Sequence, residues 1–180
     1  EVGVASTKAF LGQMLILYIL CLKIAFNRDE LKKEDYIKKI NNLINLPKAI
    51  EEVLKQEDQI QIVAKDIYQA NGSMFLGRGT SYPIALEGAL KLKELSYLHA
   101  EGYPAGEMKH GPLALIEDGL PVIVIAPKDK YFEKTFSNTQ EVIARGGKVL
   151  LITDKNDLTI NENIRFKLQV PFIEETLSPF

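Results

Sequence analysis

Two short runs in the second half of the chain, one fully and one largely apolar, constrain its fold most strongly. Residues 121–126 read PVIVIA and Lys148–Thr153 reads KVLLIT, and glycines or turn residues bound both runs. Apolar strands without polar alternation are typical of a parallel sheet that is buried on both faces. Because helical patterns separate the short apolar runs, the sequence predicts βαβ units and an α/β fold.

The same rhythm predicts further elements on either side of these runs. Residues 73–76 (SMFL) are the first strand candidate, and a helix is predicted from about 83 to 98. A second helix is predicted over 132–144, and residues 165–170 (RFKLQV) alternate in the manner of an edge strand. The predicted architecture is three-layered, with a parallel sheet flanked by helices.

The N-terminal third predicts helices only. Residues 10–26, FLGQMLILYILCLKIAF, are strongly apolar, but they are short for a membrane span and Lys23 interrupts them. We therefore predict a buried helix over about 8–26, which Ser6 or Thr7 can cap.

Two charged segments follow this apolar helix. The amphipathic segment 32–45 predicts a second helix, and Pro47 predicts its end. Residues 49–54 and 60–70 predict one more helix or a broken pair.

The composition excludes several classes of protein. Lys and Arg total 22 against 24 Asp and Glu in 180 residues, so no basic surplus is available to bind nucleic acid. Cys21 is the one cysteine, which excludes a disulfide framework and fits a reducing, cytoplasmic setting. The chain begins without Met and ends at IEETLSPF, where a closing helix would be expected. We therefore expect a piece of a longer protein, truncated at both ends.

One charged row on the predicted 83–98 helix is a candidate site. Glu87, Lys91 and Glu94 lie at i, i+4 and i+7, so they share one helix face. A solvated row of ion pairs would have this pattern. A carboxylate base held beside an ammonium group would have it too, because general base catalysis needs a positioned carboxylate and stabilised charge.

Both histidines of the chain follow this row. His99 is predicted to lie at the helix end, where the helix dipole favours a capping histidine. His110 precedes Gly111-Pro112 in a predicted loop, because Pro112 disfavours helical geometry at Gly111. A histidine there is either a surface residue or a proton-transfer group.

The chain resembles one enzyme family, in order, over nearly its whole length, and two stretches carry the resemblance. They are EVGVASTKAF at the N-terminus and FLGRGTSYPIALEGALKLKELSYLHAEGYPAGEMKHGPLALI in the middle. Both are similar to the isomerising glutamine–fructose-6-phosphate aminotransferases, the glucosamine-6-phosphate synthases. The resemblance implies an SIS-type (sugar isomerase) fold and synthesis of glucosamine 6-phosphate from fructose 6-phosphate and glutamine-derived ammonia. It also implies a cytoplasmic homodimer that needs no metal or organic cofactor, with no nucleic-acid or membrane partner.

The resemblance carries roles to individual residues. Glu94 occupies the place of the family's base, which moves a proton between sugar C1 and C2. Lys91 resembles the family's lysine beside the reacting carbons, and Glu87 matches a supporting carboxylate. His110 resembles the ring-opening histidine that the neighbouring subunit supplies. Val4 and Ser6, in GVAST, resemble substrate-binding residues.

The resemblance also divides the chain. Residues 1–45 are expected to be the end of a first SIS domain, and residues 46–180 a second SIS domain without its final helix and C-terminal tail. The family's phosphate-binding loop and tail lysine are expected to lie outside the chain, and Cys21 is no glutaminase nucleophile. We therefore expect the 180-residue chain alone to be inactive.

Three other functions stay open on the sequence alone. A non-catalytic SIS module would bind a phosphosugar and regulate another protein, but it needs no enolisation base. A related SIS deaminase or deglycase would share the fold, and a dimerisation module would explain only the apolar first helix.

Overall fold

The computed structural model describes residues 5–154 and 164–180, and its sheet has five strands in the order β2-β1-β3-β4-β5. All neighbouring strands are parallel, so the predicted α/β architecture is confirmed. The strands are β1 Gly72–Gly77, β2 His99–Pro104, β3 Pro121–Ile125, β4 Lys148–Thr153 and β5 Ile164–Gln169.

Five α-helices and two short 3₁₀ helices surround or precede the sheet in the described residues. The predicted helix over 132–144 is confirmed, and the one over 83–98 begins and ends two residues earlier than predicted. The α-helices are α1 Thr7–Asn27, α2 Lys33–Leu54, α3 Glu57–Ile67, α4 Ser81–Ser96 and α5 Phe132–Ala144, and the 3₁₀ helices are Ala105–His110 and Pro112–Leu115.

The apolar strands β3 and β4 bury side chains on both faces of the sheet. Val122 and Val124 of β3 pack in a cluster with Val142 of α5. Ile123, between them in sequence, points to the other face and packs with Val63 of α3. Because successive strand residues alternate between faces, only an uninterrupted apolar run satisfies a sheet covered by helices on both sides.

The prediction that Pro47 ends a helix is wrong. Pro47 lies inside α2, which runs on to Leu54, and the 60–70 segment becomes the separate helix α3. A proline inside a helix removes one hydrogen bond and costs about 3 kcal/mol. Leu46 and Ile50, on either side of it, line one apolar pocket together with Phe180, and this shared packing favours the continuous helix.

The sequence also missed strand β2. His99 was expected to cap α4, but α4 ends at Ser96 and His99 begins β2. The segment HAEGYP has no β-branched residue and contains glycine and proline, so it carries little strand signal. Its strand geometry comes from parallel pairing with β1. The pairing begins with Gly72 opposite His99 and ends with Gly77 opposite Pro104.

Helix α1 is not a buried helix within this chain, contrary to the prediction. Leu22 is buried, whereas Ile16 is 67% exposed and Leu17 is 60% exposed. The apolar side chains of α1 point to all sides of the helix, so packing against one neighbour leaves the other sides exposed. Among the described residues it is the one helix long and apolar enough to cross a membrane, a test that soluble core helices also pass.

The C-terminal residues 171–180 fold back onto α1 and α2. Glu174 accepts hydrogen bonds from Lys39 of α2 and, at 2.9 Å, from Asn42 Nδ2. Leu177 is buried, and the ring of Phe180 meets Tyr18 of α1 edge to face. This tail therefore joins the N-terminal helices to the sheet domain.

Candidate functional site

Small residues bring α4 close to the sheet and turn its charged row outward. Ala85 and Ala89 are buried. Gly88 lies over Phe75 of β1, where an added Cβ would be 2.8 Å from the ring. Because α4 packs through these positions, the residues on its other side are left for contacts away from the sheet.

The predicted charged row is brought together as an ion-pair cluster on α4. The Nζ of Lys91 lies 2.6 Å from Oε2 of Glu94 and 3.5 Å from Oε1 of Glu87. The side chains of Lys91 and Glu87 are 19% and 23% exposed, against 42% for Glu94. Lys91 is thus the shared partner of two carboxylates, and Glu94 is the one more open to a ligand.

The charge of Lys91 is fixed by its neighbours. The hydrogen bond to Glu94 raises its pKa above 10.5, desolvation opposes the rise, and the charges of Glu87 and Glu94 add to it. Lys91 is therefore an ammonium group throughout the neutral range. An ammonium held beside a carboxylate can stabilise negative charge that develops on a bound molecule.

The N-terminal segment meets this cluster through its backbone. Lys91 Nζ donates a 2.8 Å hydrogen bond to the carbonyl oxygen of Ala5. Ser6 follows at the start of α1, with a left-handed φ of 53°, and its side chain makes no capping hydrogen bond. The expectation that Ser6 or Thr7 caps the helix is therefore wrong, because Ser6 makes no such bond and Thr7 is already the first residue of α1. Val4 lies outside the described residues.

The contact with Ala5 could not be predicted from residue types. A carbonyl oxygen is present at every position, so no sequence signal singles one out. The contact places Ser6 one residue away from a Lys91 partner. Ala5 and Ser6, the described part of the GVAST segment before α1, therefore lie next to the α4 row.

His110 stands apart from the charged row in this chain. It is exposed at the end of the 3₁₀ helix Ala105–His110, and Gly111 follows with a φ of 143°. This glycine geometry agrees with the predicted effect of Pro112. Across the residues that the structure describes, His110 makes no hydrogen bond or ion pair with Glu87, Lys91 or Glu94.

A second polar group, which the sequence analysis missed, lies on the edge strand β2. The Tyr103 hydroxyl donates to Glu101, and Nε2 of His99 lies 3.5 Å from the other oxygen of Glu101. The three residues alternate along β2 and so share one face. The alternation of polar residues at 99, 101 and 103 is present in the sequence. Because no strand was predicted there, it did not indicate that these side chains share one face.

The parallel sheet with helices on both faces has a clear family match. A model described as the SIS domain matches residues 66–180. The chain belongs to the SIS domain family. The assignment of residues 1–45 to a preceding SIS domain stays a prediction.

Individual relatives narrow the class further. The chain is 50% identical over 180 residues to the isomerising glutamine–fructose-6-phosphate aminotransferase of Bartonella quintana (strain Toulouse), covering 99% of this chain and 30% of that protein. It is 54% identical over 154 residues to the enzyme of the same name from Bradyrhizobium diazoefficiens, covering 86% of this chain and 25% of that protein. The chain thus spans less than a third of the length of these relatives.

A solved structure agrees with both matches. The C-terminal domain of glucosamine-fructose-6-phosphate aminotransferase from Francisella tularensis superposes with a TM-score of 0.94 at 42% identity. The match covers 98% of this chain and 50% of that one. The chain is therefore similar, in sequence and in fold, to the SIS part of these aminotransferases, and the predicted resemblance is confirmed.

Proposed function

We propose that this chain is the sugar-isomerising part of an enzyme that makes glucosamine 6-phosphate from fructose 6-phosphate and glutamine-derived ammonia. One observation carries the proposal: the Glu94 carboxylate and the Lys91 ammonium are 2.6 Å apart, beside the Ala5 carbonyl. The names of the relatives, at about half identity over the whole chain, support the substrate.

Glu94 is the proposed base. Its carboxylate takes a proton from sugar C1, the C1–H electron pair forms the C1=C2 double bond, and the C2=O π pair moves to O2, which takes up a proton. The same carboxyl then returns its proton to C2 as the C1 hydroxyl loses its proton and becomes the C1 carbonyl. The 42% exposure of Glu94 leaves room for this approach. Isomerisation moves a proton and an electron pair within the substrate, so it needs no oxidant or reductant.

Lys91 and Glu87 are proposed to support this transfer. Lys91 stabilises the negative charge that develops on the substrate oxygen while C1 is deprotonated. Glu87, 3.5 Å from Lys91 Nζ, holds the ammonium group in place from the other side. A non-catalytic phosphosugar-binding module would need neither group so arranged.

The remaining substrate contacts are proposed from the resemblance. Val4 and Ser6 contact the substrate, and His110 opens the sugar ring from the neighbouring subunit of a homodimer. The absence of a bond from His110 to the Glu94 cluster in the described residues is consistent with a role in the partner's site. We expect a cytoplasmic enzyme, and we expect the 180-residue chain alone to be inactive.

The test compares Glu94→Gln with wild type in an enzyme of the relatives' full length. A general base contributes about 10²- to 10⁴-fold, so deuterium exchange at C1 and C2 and product formation should both fall by that range, with fructose 6-phosphate binding retained. Glu117→Gln is the matched control, since Glu117 is exposed between the second 3₁₀ helix and β3. Unchanged exchange in Glu94→Gln would end the catalytic proposal for α4.

A further inference from the structure

The 3₁₀ helix Ala105–His110, here named the His110 segment, is fixed to the domain at several points. Ala105 and Met108 have no exposed surface and belong to the core cluster between the sheet and α5. The segment is nevertheless short and irregular, and a 3₁₀ helix of six residues has poor internal hydrogen-bond geometry. Its position must therefore be set by contacts outside itself.

Helix α5 supplies one of these contacts through Asn138. The side-chain amide of Asn138 faces two carbonyl oxygens, so its NH₂ group donates to both, over 3.1 Å to Ala105 and 2.9 Å to Lys134. Ala105 is buried, so its carbonyl would have poor access to water without this donor. Asn138 thus anchors the first residue of the segment.

Glu141, one turn further along α5, supplies the second contact. Its Oε1 lies 2.9 Å from the Nζ of Lys109, the residue before His110. Glu141 is 27% exposed, and among the residues that the structure describes its buried Oε2 has no hydrogen-bond partner. A carboxylate kept in so unfavourable a position is paired through Lys109, which ties the last turn of the segment to α5.

The two anchors bracket the segment at its two ends. Asn138 and Glu141 are at i and i+3, so they share one face of α5 beside the buried Thr139 and Val142. Beyond His110, Gly111 takes a conformation that side chains rarely adopt, and it has open space around its Cα. The backbone that carries His110 is thus held from the α5 side, and the chain after it turns at Gly111 into the 3₁₀ helix Pro112–Leu115.

We propose that Asn138 and Glu141 are positioning residues that hold His110 at the place where it acts on the sugar ring. The inference rests on the proposed function of His110 and adds two residues on α5 whose polar contacts, in the part of the chain that the structure describes, go to residues 105, 109 and 134 and not to the α4 cluster. Its physical content is that α5 restricts the backbone of residues 105–110.

Hydrogen exchange in the full-length enzyme tests the anchors directly. Asn138→Ala should speed exchange of the amides at 105–110 by about tenfold, because it leaves one buried carbonyl unpaired. Glu141→Gln should speed it by about two- to fivefold, the effect of losing a partly exposed ion pair. Glu117→Gln, the matched control, should leave the segment unchanged.

Kinetics separate positioning from a general loss of stability. Both variants should lower kcat for fructose 6-phosphate at unchanged KM, with melting temperatures within about 6 °C of wild type, the largest shift that a tenfold change in local opening would cause in a domain of this size. Exchanging the charges, with Lys109→Glu and Glu141→Lys together, should restore kcat towards wild type beyond either single variant.

The outcomes divide clearly. Unchanged exchange at 105–110 in both variants, or faster exchange spread over α5 and the sheet, would overturn the proposal. If Asn138→Ala does not fold, Glu141→Gln and the charge exchange decide it. If wild type forms no glucosamine 6-phosphate, the proposed function fails, while the exchange measurement still shows whether α5 holds the segment.

Discussion

Helix α4 packs directly on the edge strand β2 at Gly102. A Cβ added at Gly102 would lie 2.9 Å from both the Cα and the backbone nitrogen of Leu86, and 3.0 Å from its Cδ2. Gly102 is not in the positive-φ region, so alanine can adopt its backbone conformation. The change Gly102→Ala therefore tests the packing of α4 on the sheet without backbone strain.

The loss of stability expected for Gly102→Ala depends on which Leu86 atoms the added Cβ would contact. Overpacking costs about 1–3 kcal/mol, and the upper value applies because two of the three Leu86 atoms are backbone and cannot rotate away. Replacing glycine lowers the entropy of the unfolded chain and returns about 0.4–1 kcal/mol. The net loss is about 2 kcal/mol, which lowers the melting temperature of a chain of this length by about 4–8 °C.

Thermal and denaturant unfolding provide the assay, with a second glycine as control. Gly12 lies within α1 and has no atom within 4 Å of an added Cβ. Gly12→Ala should therefore stabilise the chain by about 0.8–1 kcal/mol through helix propensity, the opposite sign. If Gly102→Ala were neutral or stabilising while Gly12→Ala raised the melting temperature, the close packing of α4 on β2 would be refuted.

Three further predictions concern the core, the tail and the site. Leu151→Ala should cost about 2–5 kcal/mol in denaturant unfolding, because Leu151 has no exposed surface in the sheet core. Burial of Glu174 acts to raise its pKa, but hydrogen bonds from Lys39, Asn42 and Thr176 outweigh it and hold the pKa below 4.5. The stabilisation from Glu174 is therefore present above about pH 4.5 and lost as pH falls through the lowered pKa, and Glu174→Gln should flatten this part of a melting-temperature profile between pH 3 and 6. Lys91→Met should slow deuterium exchange at the sugar C1 and C2 positions in the full-length enzyme, and a rate equal to wild type would contradict its role in charge stabilisation.

Much of the sheet domain could be predicted because its strongest signals are local. The run that became β3 is apolar at every position and the one that became β4 is apolar over residues 149–152, and such runs are typical of a sheet covered on both faces. The charged row was predictable for a related reason. A helix places positions 87, 91 and 94 on one face whatever surrounds it, and the structure does join their side chains.

The errors fall where a distant contact outweighs a local preference. Pro47 is a strong local signal for a helix end, but packing on both sides of it carries α2 through. The segment HAEGYP has almost no strand propensity, yet pairing with β1 makes it a strand and moves His99 away from the end of α4. Neither the continuation of α2 through Pro47 nor the strand at HAEGYP follows from the neighbouring residues in the sequence.

The sequence by itself determined the α/β class, the charged row on α4 and the non-helical backbone of Gly111 after His110, because each depends on periodicity or on backbone sterics within a few residues. The tertiary structure alone decided which groups meet across the chain. The Ala5 carbonyl reaches Lys91 over a sequence separation of 86, and Glu141 reaches Lys109 from another helix. Such contacts depend on how packed elements are placed relative to each other, and no local pattern encodes that placement.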